Sequence, residues 1–248
     1  NVIARRYLQT AGKPLDAIRI GLSEIADDIA ARVNVKAVGT TGSGRYLTGD
    51  FVGADTIRNE IISQATAAIA HDPEVDTIFE IGGQDSKYIS IDNGVIVDFE
   101  MNKACAAGTG SFLEEQAEKL GIDIREEFSD LAFDAPTPAR LGNRCTVFME
   151  SDLNSHQQKG ASKENLIGGL AYSIVQNYMQ KVVGARRVGE KIFFQGGVTN
   201  NRSVVAAFEH VTGKQITVPP HFDVTGAIGV AMLARDAVDG TGKTRFKG

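Results

Sequence analysis

Apolar positions along the chain repeat with two periods, one typical of buried strands and the other of amphipathic helices. Short apolar runs predict strands at Val35–Thr40, Thr77–Ile81 and Lys191–Gln195. Apolar stripes at helical spacing predict helices at Pro14–Val33, Asp55–Ala70, Ala106–Leu120, Lys163–Ala185 and Asp223–Val238. Two alternating runs flank Asn93-Gly94, a dipeptide that favours a tight β-hairpin. Together these elements predict an α/β fold with mixed sheets.

Composition narrows the class of protein. The 248 residues are 42% hydrophobic, which excludes a wholly disordered chain, and their net charge of −5 predicts neither a nucleic-acid nor an anionic-membrane partner. No apolar run approaches the roughly 18–20 residues that cross a bilayer, and no signal peptide opens the sequence. Two cysteines cannot form a secreted disulfide framework, so we expect a cytoplasmic protein.

Glycine-rich segments follow three of the predicted elements, at Thr40–Arg45, Gly82–Lys87 and Gly196–Asn201. Glycine lets backbone N–H groups approach a phosphate, although a turn without a ligand also explains each segment. None matches the Walker pattern or a dinucleotide fingerprint. Asp85 is suited to holding a magnesium-bound water and Gln84 to orienting an attacking water, whereas a turn-capping aspartate is the simpler interpretation of Asp85. Lys87 either meets a phosphate or points outward from the hairpin.

The two cysteines, Cys105 and Cys145, have polar and glycine-rich neighbours. Cys105 lies where a helix is predicted to begin, a position that stabilises a thiolate, but a small buried core residue explains either cysteine as well. They are forty residues apart, and no histidine is an obvious partner. Since a tetrahedral cluster needs four ligands, one chain supplies half of them and a two-fold dimer supplies all four.

Five motifs together resemble a known family: FEIGGQDSK, MNKACAAGTGSF, NRCTVFMESD, FFQGGVTNN and TGAIGVAMLA. They resemble the CoA-substrate-specific enzyme activases, which include the ATP-dependent activators of 2-hydroxyacyl-CoA dehydratases and the ATPase subunits of benzoyl-CoA reductases. This family belongs to the acetate-kinase, sugar-kinase, heat-shock-chaperone and actin superfamily. The resemblance runs from about Thr40 to Leu233.

The resemblance implies two ribonuclease-H-like lobes with ATP or ADP and Mg²⁺ in a cleft between them, and a homodimer that shares one 4Fe-4S cluster. It assigns Cys105 and Cys145 to that cluster. It places Gly82, Gly83, Gln84 and Asp85 in a phosphate loop; Gly196, Gly197 and Asn200 in an adenosine turn; and Gly108, Thr109 and Gly110 between nucleotide and cluster. The implied activity takes an electron from ferredoxin or flavodoxin and, driven by ATP, passes it to an acyl-CoA dehydratase or reductase.

One departure concerns the first phosphate loop of the superfamily, because nothing like its Asp-Gly-Ser-Thr-Thr motif precedes Asn1. Asn1–Leu8 resembles the strand after that loop, so we expect an excerpt of a longer polypeptide that lacks the first phosphate-loop hairpin. On this basis residues 1–100 are expected to form the first lobe with the phosphate-loop hairpin, and residues 101–248 the second lobe. Two alternatives stay open: a small-molecule kinase of the same superfamily, and a non-catalytic nucleotide-responsive module of a larger activase.

Overall fold

The computed structural model of the chain describes residues 1–102, 106–142, 146–238 and 243–247. The α-helices in these residues are α1 (Pro14–Ile29), α2 (Arg45–Val52), α3 (Glu60–His71), α4 (Gly110–Lys119), α5 (Phe128–Phe133), α6 (Thr146–Gln158), α7 (Lys163–Tyr178), α8 (Arg202–Thr212) and α9 (Thr225–Val238). The strands are β1 (Gly39–Thr40), β2 (Thr56–Ile57), β3 (Thr77–Ile81), β4 (Ser86–Asp92), β5 (Val95–Met101), β6 (Ile192–Gln195) and β7 (Ile216–Thr217). None of the described helices is long and apolar enough to cross a membrane.

The first of two compact units comprises Asn1–Pro73 and Asp223–Gly248. In it the short strands β1 and β2 pair in parallel, and α3 packs against α9. The close packing of the two helices requires Gly229, because a Cβ there would lie 1.8 Å from the Ser63 carbonyl oxygen. Residues Asp223–Gly248 therefore lie in the same compact unit as Asn1–Pro73.

The second unit, Glu74–Phe222, is built on a five-stranded mixed sheet in the order β5-β4-β3-β6-β7. Strand β3 is antiparallel to β4 and parallel to β6. The predicted hairpin is confirmed: β4 and β5 pair around Asn93 and Gly94, whose φ angles of 49° and 76° suit a turn of this kind. One face of the sheet carries an aromatic core, in which the ring of Phe208 stacks on Phe79 and meets Tyr178 edge-on.

These elements confirm the predicted α/β fold with mixed sheets, but several predicted bounds are wrong. Asn1–Leu8 forms no strand, and its apolar side chains Ile3 and Tyr7 are exposed. The strand predicted at Val35–Thr40 is reduced to β1. The helix predicted from Asp55 begins at Glu60, because the Asp55 backbone and carboxylate bond Val38 and hold the chain extended.

The compact units also divide the chain elsewhere than at residue 100. Strand β3 pairs with β6 as well as with β4, so the whole glycine-loop hairpin shares a sheet with the second half of the chain. The return of α9 to α3 places the end of the chain in the first unit. Both differences come from contacts between segments far apart in sequence, which local patterns do not encode.

Candidate functional site

The loop Gly82–Asp85 connects β3 to β4 as a tight hairpin. The strands pair up to Ile81 and Ser86, and the Gly82 amide donates a 2.9 Å hydrogen bond to the Asp85 carbonyl oxygen. Gly83 and Gln84 at the tip are exposed, while Asp85 is half-buried. The loop therefore presents backbone and the Gln84 side chain outward and holds Asp85 at its base.

Helix α4 begins directly on this loop. The amides of Gly110 and Ser111 donate hydrogen bonds of 2.8 Å to the carbonyl oxygens of Gly82 and Gly83. A Cβ on Gly110 would lie 3.0 Å from the Gly82 carbonyl oxygen and from Val198 Cγ2, so a side chain there would press on both neighbours. Thr109, at the N-cap of α4, is fully buried, and its hydroxyl lies 3.0 Å from that of Ser111. Two of the helix's first amides, which lack partners within the helix, are thus satisfied by the loop.

A second glycine turn lies beside the loop, after β6. Gly196 has a φ of +93°, and a Cβ there would lie 2.3 Å from the Ile81 carbonyl oxygen, so the position requires glycine. The turn continues as a 3₁₀ segment, Gly197–Asn200, in which the exposed Asn200 side chain donates to the Gly197 carbonyl oxygen at 3.0 Å. Since β3 and β6 are parallel neighbours, their carboxyl ends bring the two glycine turns together.

An ionic cluster lies beneath the loop. Lys87 Nζ donates hydrogen bonds of 2.8 Å to Glu80 Oε2 and to Asp85 Oδ1, and the Lys87 side chain is only 4% exposed. The lysine therefore points neither outward nor to an open phosphate position. Burial lowers the pKa of Lys87, but the charge of Glu80 and the hydrogen bond to Asp85 outweigh it, so the pKa lies above its ordinary value.

Sequence reasoning missed Glu80, a member of this cluster, and Tyr178, which contacts the Lys87 backbone. The sequence pattern predicts only a buried strand at Glu80, although a carboxylate two residues before a Gly-Gly pair in an apolar run is a signal for a functional residue. The Tyr178 hydroxyl donates to the Lys87 carbonyl oxygen at 2.7 Å. Burial raises the pKa of Tyr178 well above its ordinary value, with a further contribution from the charge of Glu80. No sequence pattern marked Tyr178, since it reads as one more apolar-face position of a helix.

The chemistry at the loop suits a hard cation held with a nucleotide. Asp85 offers a partly exposed carboxylate at the base of the loop, and carboxylate oxygens are ligands that Mg²⁺ prefers. Among the described residues no group of three or more histidine, cysteine, aspartate or glutamate side chains is arranged to hold a metal alone. Mg²⁺ bound mainly through phosphates and water needs no such group, so the donor set fits it.

Cys105 and Cys145 both lie outside the described residues, but the segments next to them contact one helix. Gly108 packs on the backbone of Tyr178 near the end of α7, where a Cβ would lie 3.5 Å from the Tyr178 Cα. Gly142 accepts a 2.7 Å hydrogen bond from the Ser173 hydroxyl, also on α7. Helix α7 thus supports one residue close after the first cysteine and one close before the second.

Comparisons with known proteins agree with the sequence motifs. The chain is 34% identical to the 2-hydroxyisocaproyl-CoA dehydratase activator of Clostridioides difficile over 83% of this chain and 76% of that protein. It is 35% identical to the (R)-2-hydroxyglutaryl-CoA dehydratase activating ATPase of Acidaminococcus fermentans, over 78% and 73% of the two chains.

A solved structure of the activator of the 2-hydroxyisocaproyl-CoA dehydratase from Clostridium difficile, with bound ADPNP, superposes with a TM-score of 0.83. The two chains are 31% identical, and the match covers 91% of this chain and 83% of that one. The model of the BadF/BadG/BcrA/BcrD ATPase family matches residues 5–234. The resemblance inferred from the motifs is confirmed, and the chain belongs to the BadF/BadG/BcrA/BcrD ATPase family.

Proposed function

We propose that this chain is an ATP-dependent activator that passes a low-potential electron to an acyl-CoA dehydratase or reductase. Membership of an ATPase family supports the use of ATP, and relatives named as dehydratase activators support the class of partner. We further propose ferredoxin or flavodoxin as the electron donor, as the motif resemblance implies. Among the residues that the structure describes, no specific contact favours either alternative, a small-molecule kinase or a non-catalytic module.

The two glycine turns are the proposed nucleotide site. Gly82 and Gly83 present backbone to the phosphates, and Gly196 and Gly197, with Asn200, form the turn that holds the adenosine. Gln84, exposed at the loop tip, orients the attacking water. Asp85 holds a water bound to Mg²⁺, which neutralises developing phosphate charge when it is present. The adjacency of the two turns at parallel strand ends supports this assignment.

The observation that carries the proposal is the direct attachment of α4 to the phosphate loop. Two amides at the start of α4 bond the carbonyl oxygens of Gly82 and Gly83, and α4 begins five residues after Cys105 in the sequence. A displacement of the loop on nucleotide binding or hydrolysis therefore moves the start of α4. In this proposal Gly108, Thr109 and Gly110 transmit the state of the nucleotide to the cysteine-bearing segment.

Cys105 and Cys145 are the proposed cluster ligands, and two chains are proposed to form a homodimer so that four thiolates share one 4Fe-4S cluster. Such a cluster would supply the one-electron chemistry that ATP hydrolysis itself lacks. A change of 30 mV in a one-electron potential corresponds to roughly 0.7 kcal/mol, half the two-electron figure, so hydrolysis of ATP is ample to change that potential.

An iron and sulfide assay tests the proposal directly. Protein reconstituted anaerobically should hold about four irons per two chains, and its visible spectrum should change when ATP is added. Absence of iron after reconstitution, with both thiols intact by titration, would contradict the electron-transfer role. ATP hydrolysis measured on the same preparation separates that outcome from failure of the nucleotide site.

A further inference from the structure

The buried ionic cluster under the phosphate loop has a geometry fixed by the hairpin itself. Glu80 and Lys87 are directly opposite each other across the antiparallel β3–β4 pair, and Asp85 precedes Lys87 by two positions. Residues opposed across a sheet, or two apart in an extended segment, project to the same face. All three charged side chains therefore meet on one face of the hairpin, where Lys87 Nζ bonds both carboxylates at 2.8 Å.

A contribution to folding stability does not by itself explain why these three charged side chains lie together. Removing a lysine and a glutamate from water carries a desolvation penalty that can exceed their mutual attraction, and replacing a buried ion pair by apolar residues is often neutral or stabilising. Lys87 and Glu80 are 4% and 7% exposed in their side chains, whereas the Asp85 side chain is 36% exposed. The buried pair is thus the anchor, and Asp85 is the member that reaches solvent.

The cluster also adjoins both glycine turns. Glu80 Oε1 lies 3.1 Å from where a Cβ on Gly196 would stand and 3.5 Å from the same point on Gly82. Asp85 Oδ1 lies 3.2 Å from that point on Gly82. Any cation held with a nucleotide at these turns would therefore meet carboxylates whose charge and orientation Lys87 sets.

We propose that Lys87 is a positioning residue for Mg²⁺. Its ammonium group holds Asp85 against the buried Glu80, so the exposed part of the Asp85 carboxylate faces the phosphate loop in one pose. It also leaves the three side chains with a net charge of −1 in place of the −2 that two bare carboxylates would have. This inference rests on the proposed role of Asp85 in the nucleotide site.

The test compares Lys87→Met, which keeps an unbranched apolar chain out to the Cε position and removes the ammonium group, with Lys191→Met. Lys191 is the matched control because it lies in the same unit and pairs with one carboxylate, Glu74, at 3.6 Å with its side chain 55% exposed. Calorimetry measures the affinity for ADP in the presence of Mg²⁺ and in the presence of EDTA. The ratio of the two affinities is the Mg²⁺ gain, the increase in ADP affinity that the metal provides. We expect that gain to fall about tenfold in Lys87→Met, as for loss of other groups that orient metal ligands, and to stay unchanged in the control.

ATPase kinetics give a second readout. The Mg²⁺ concentration for half-maximal rate should rise and kcat should fall in Lys87→Met, with a smaller change in the KM for ATP. The double variant Lys87→Met/Glu80→Gln keeps the cluster at −1 and guards against misfolding from an uncompensated carboxylate. If Lys87 positions Asp85, the increase in ADP affinity due to Mg²⁺ should stay reduced in the double variant. If the lysine only balances charge, the double variant should recover the wild-type increase, and the inference is overturned.

Two further outcomes also overturn it: a folded Lys87→Met protein whose Mg²⁺ gain is within twofold of wild type, or a wild-type protein that binds ADP equally well with and without Mg²⁺. An iron-free protein that binds MgADP would leave this inference intact and contradict only the electron-transfer part of the proposed function.

Discussion

The Gly110 amide donates a 2.8 Å hydrogen bond to the Gly82 carbonyl oxygen, so the first residue of α4 and the first residue of the proposed phosphate loop are linked backbone to backbone. No side chain intervenes that could change rotamer and absorb a movement of the loop. The Ser111 amide makes the same contact with Gly83, which fixes the direction of the helix start as well as its position.

This relationship predicts that Gly110→Ala uncouples the nucleotide from the cysteine segment. The added Cβ would lie 3.0 Å from the Gly82 carbonyl oxygen and from Val198 Cγ2, so the helix start must shift by a few tenths of an ångström. We expect ADP affinity to change by less than about tenfold, while the ATP-dependent change in the visible spectrum is lost. Anaerobic titration with ATP measures both quantities.

Gly44→Ala is the control for that variant. Gly44 lies at the N-cap of α2 with a φ of −85°, and a Cβ there meets only Thr48 Cγ2 at an ordinary 3.8 Å. It should behave as wild type in both measurements. Equal loss of the spectral change in the two variants would show that the contact between α4 and the loop does not transmit the nucleotide state.

Gly196 and Gly83 allow stability to be separated from binding. Gly196→Ala combines a positive φ with a Cβ 2.3 Å from the Ile81 carbonyl oxygen, so we expect the free energy of unfolding to fall by about 2–4 kcal/mol. A Cβ on Gly83 meets nothing within 4 Å, so Gly83→Ala should unfold as wild type. If Gly83 presents backbone to a phosphate, its variant should nevertheless bind ADP more weakly. Urea denaturation and calorimetry on both variants check this, and reversed effects would contradict the proposed loop.

Local patterns predicted the parts of the fold that local physics determines. The alternation around Asn93-Gly94 predicted the β4–β5 hairpin because that dipeptide accepts positive φ, and the apolar run at Thr77–Ile81 predicted β3 with its observed bounds. Patterns failed for Asn1–Leu8, whose apolar residues find no sheet to join among the described residues. They failed also for the division into units, which depends on the pairing of β3 with β6.

In the candidate site, too, only the locally determined features could be predicted from the sequence. Glycine clusters predicted both turns, because a sharp bend at the end of a strand favours glycine. The pairing of Lys87 with Glu80 could not be predicted from the sequence. A lysine in an alternating strand is compatible with either face of the sheet until the register of β4 with β3 is known. Tyr178 reaches Lys87 across 91 positions of sequence, and nothing local encodes such a contact.

A pH-dependent contribution to stability is expected from Asp55 in the first unit. Burial raises the pKa of Asp55, but hydrogen bonds from the Thr244 hydroxyl and from the amides of Arg245 and Val38 outweigh burial and leave the pKa below its ordinary value. A carboxyl whose pKa is lowered by folding stabilises the protein above its unfolded pKa, and this contribution is lost as pH falls through the folded value.

Asp55→Asn should therefore lower the free energy of unfolding at pH 7 by about 1–3 kcal/mol, the usual value of hydrogen bonds to a charged group. The difference from wild type should begin to shrink below about pH 4, where the unfolded carboxyl takes up a proton, and should be lost once pH has fallen through the lowered pKa of the folded carboxyl. Denaturation at a series of pH values measures this difference in the free energy of unfolding. Asp27→Asn, at an exposed position of α1, is the control. A difference that stays constant with pH would assign the effect to packing.

The cysteines separate the proposed activator from a small-molecule kinase of the same superfamily. Cys105→Ser and Cys145→Ser each remove one of two thiolates per chain, so a cluster shared by two chains loses two of its four ligands in either variant. We expect iron content to fall from about four per two chains to near zero, while ADP affinity stays within about threefold of wild type. A kinase would keep phosphotransfer and would show no iron to lose. Single variants that each retain full iron would show that the two cysteines do not act as one set of ligands, and the thiols would then be structural.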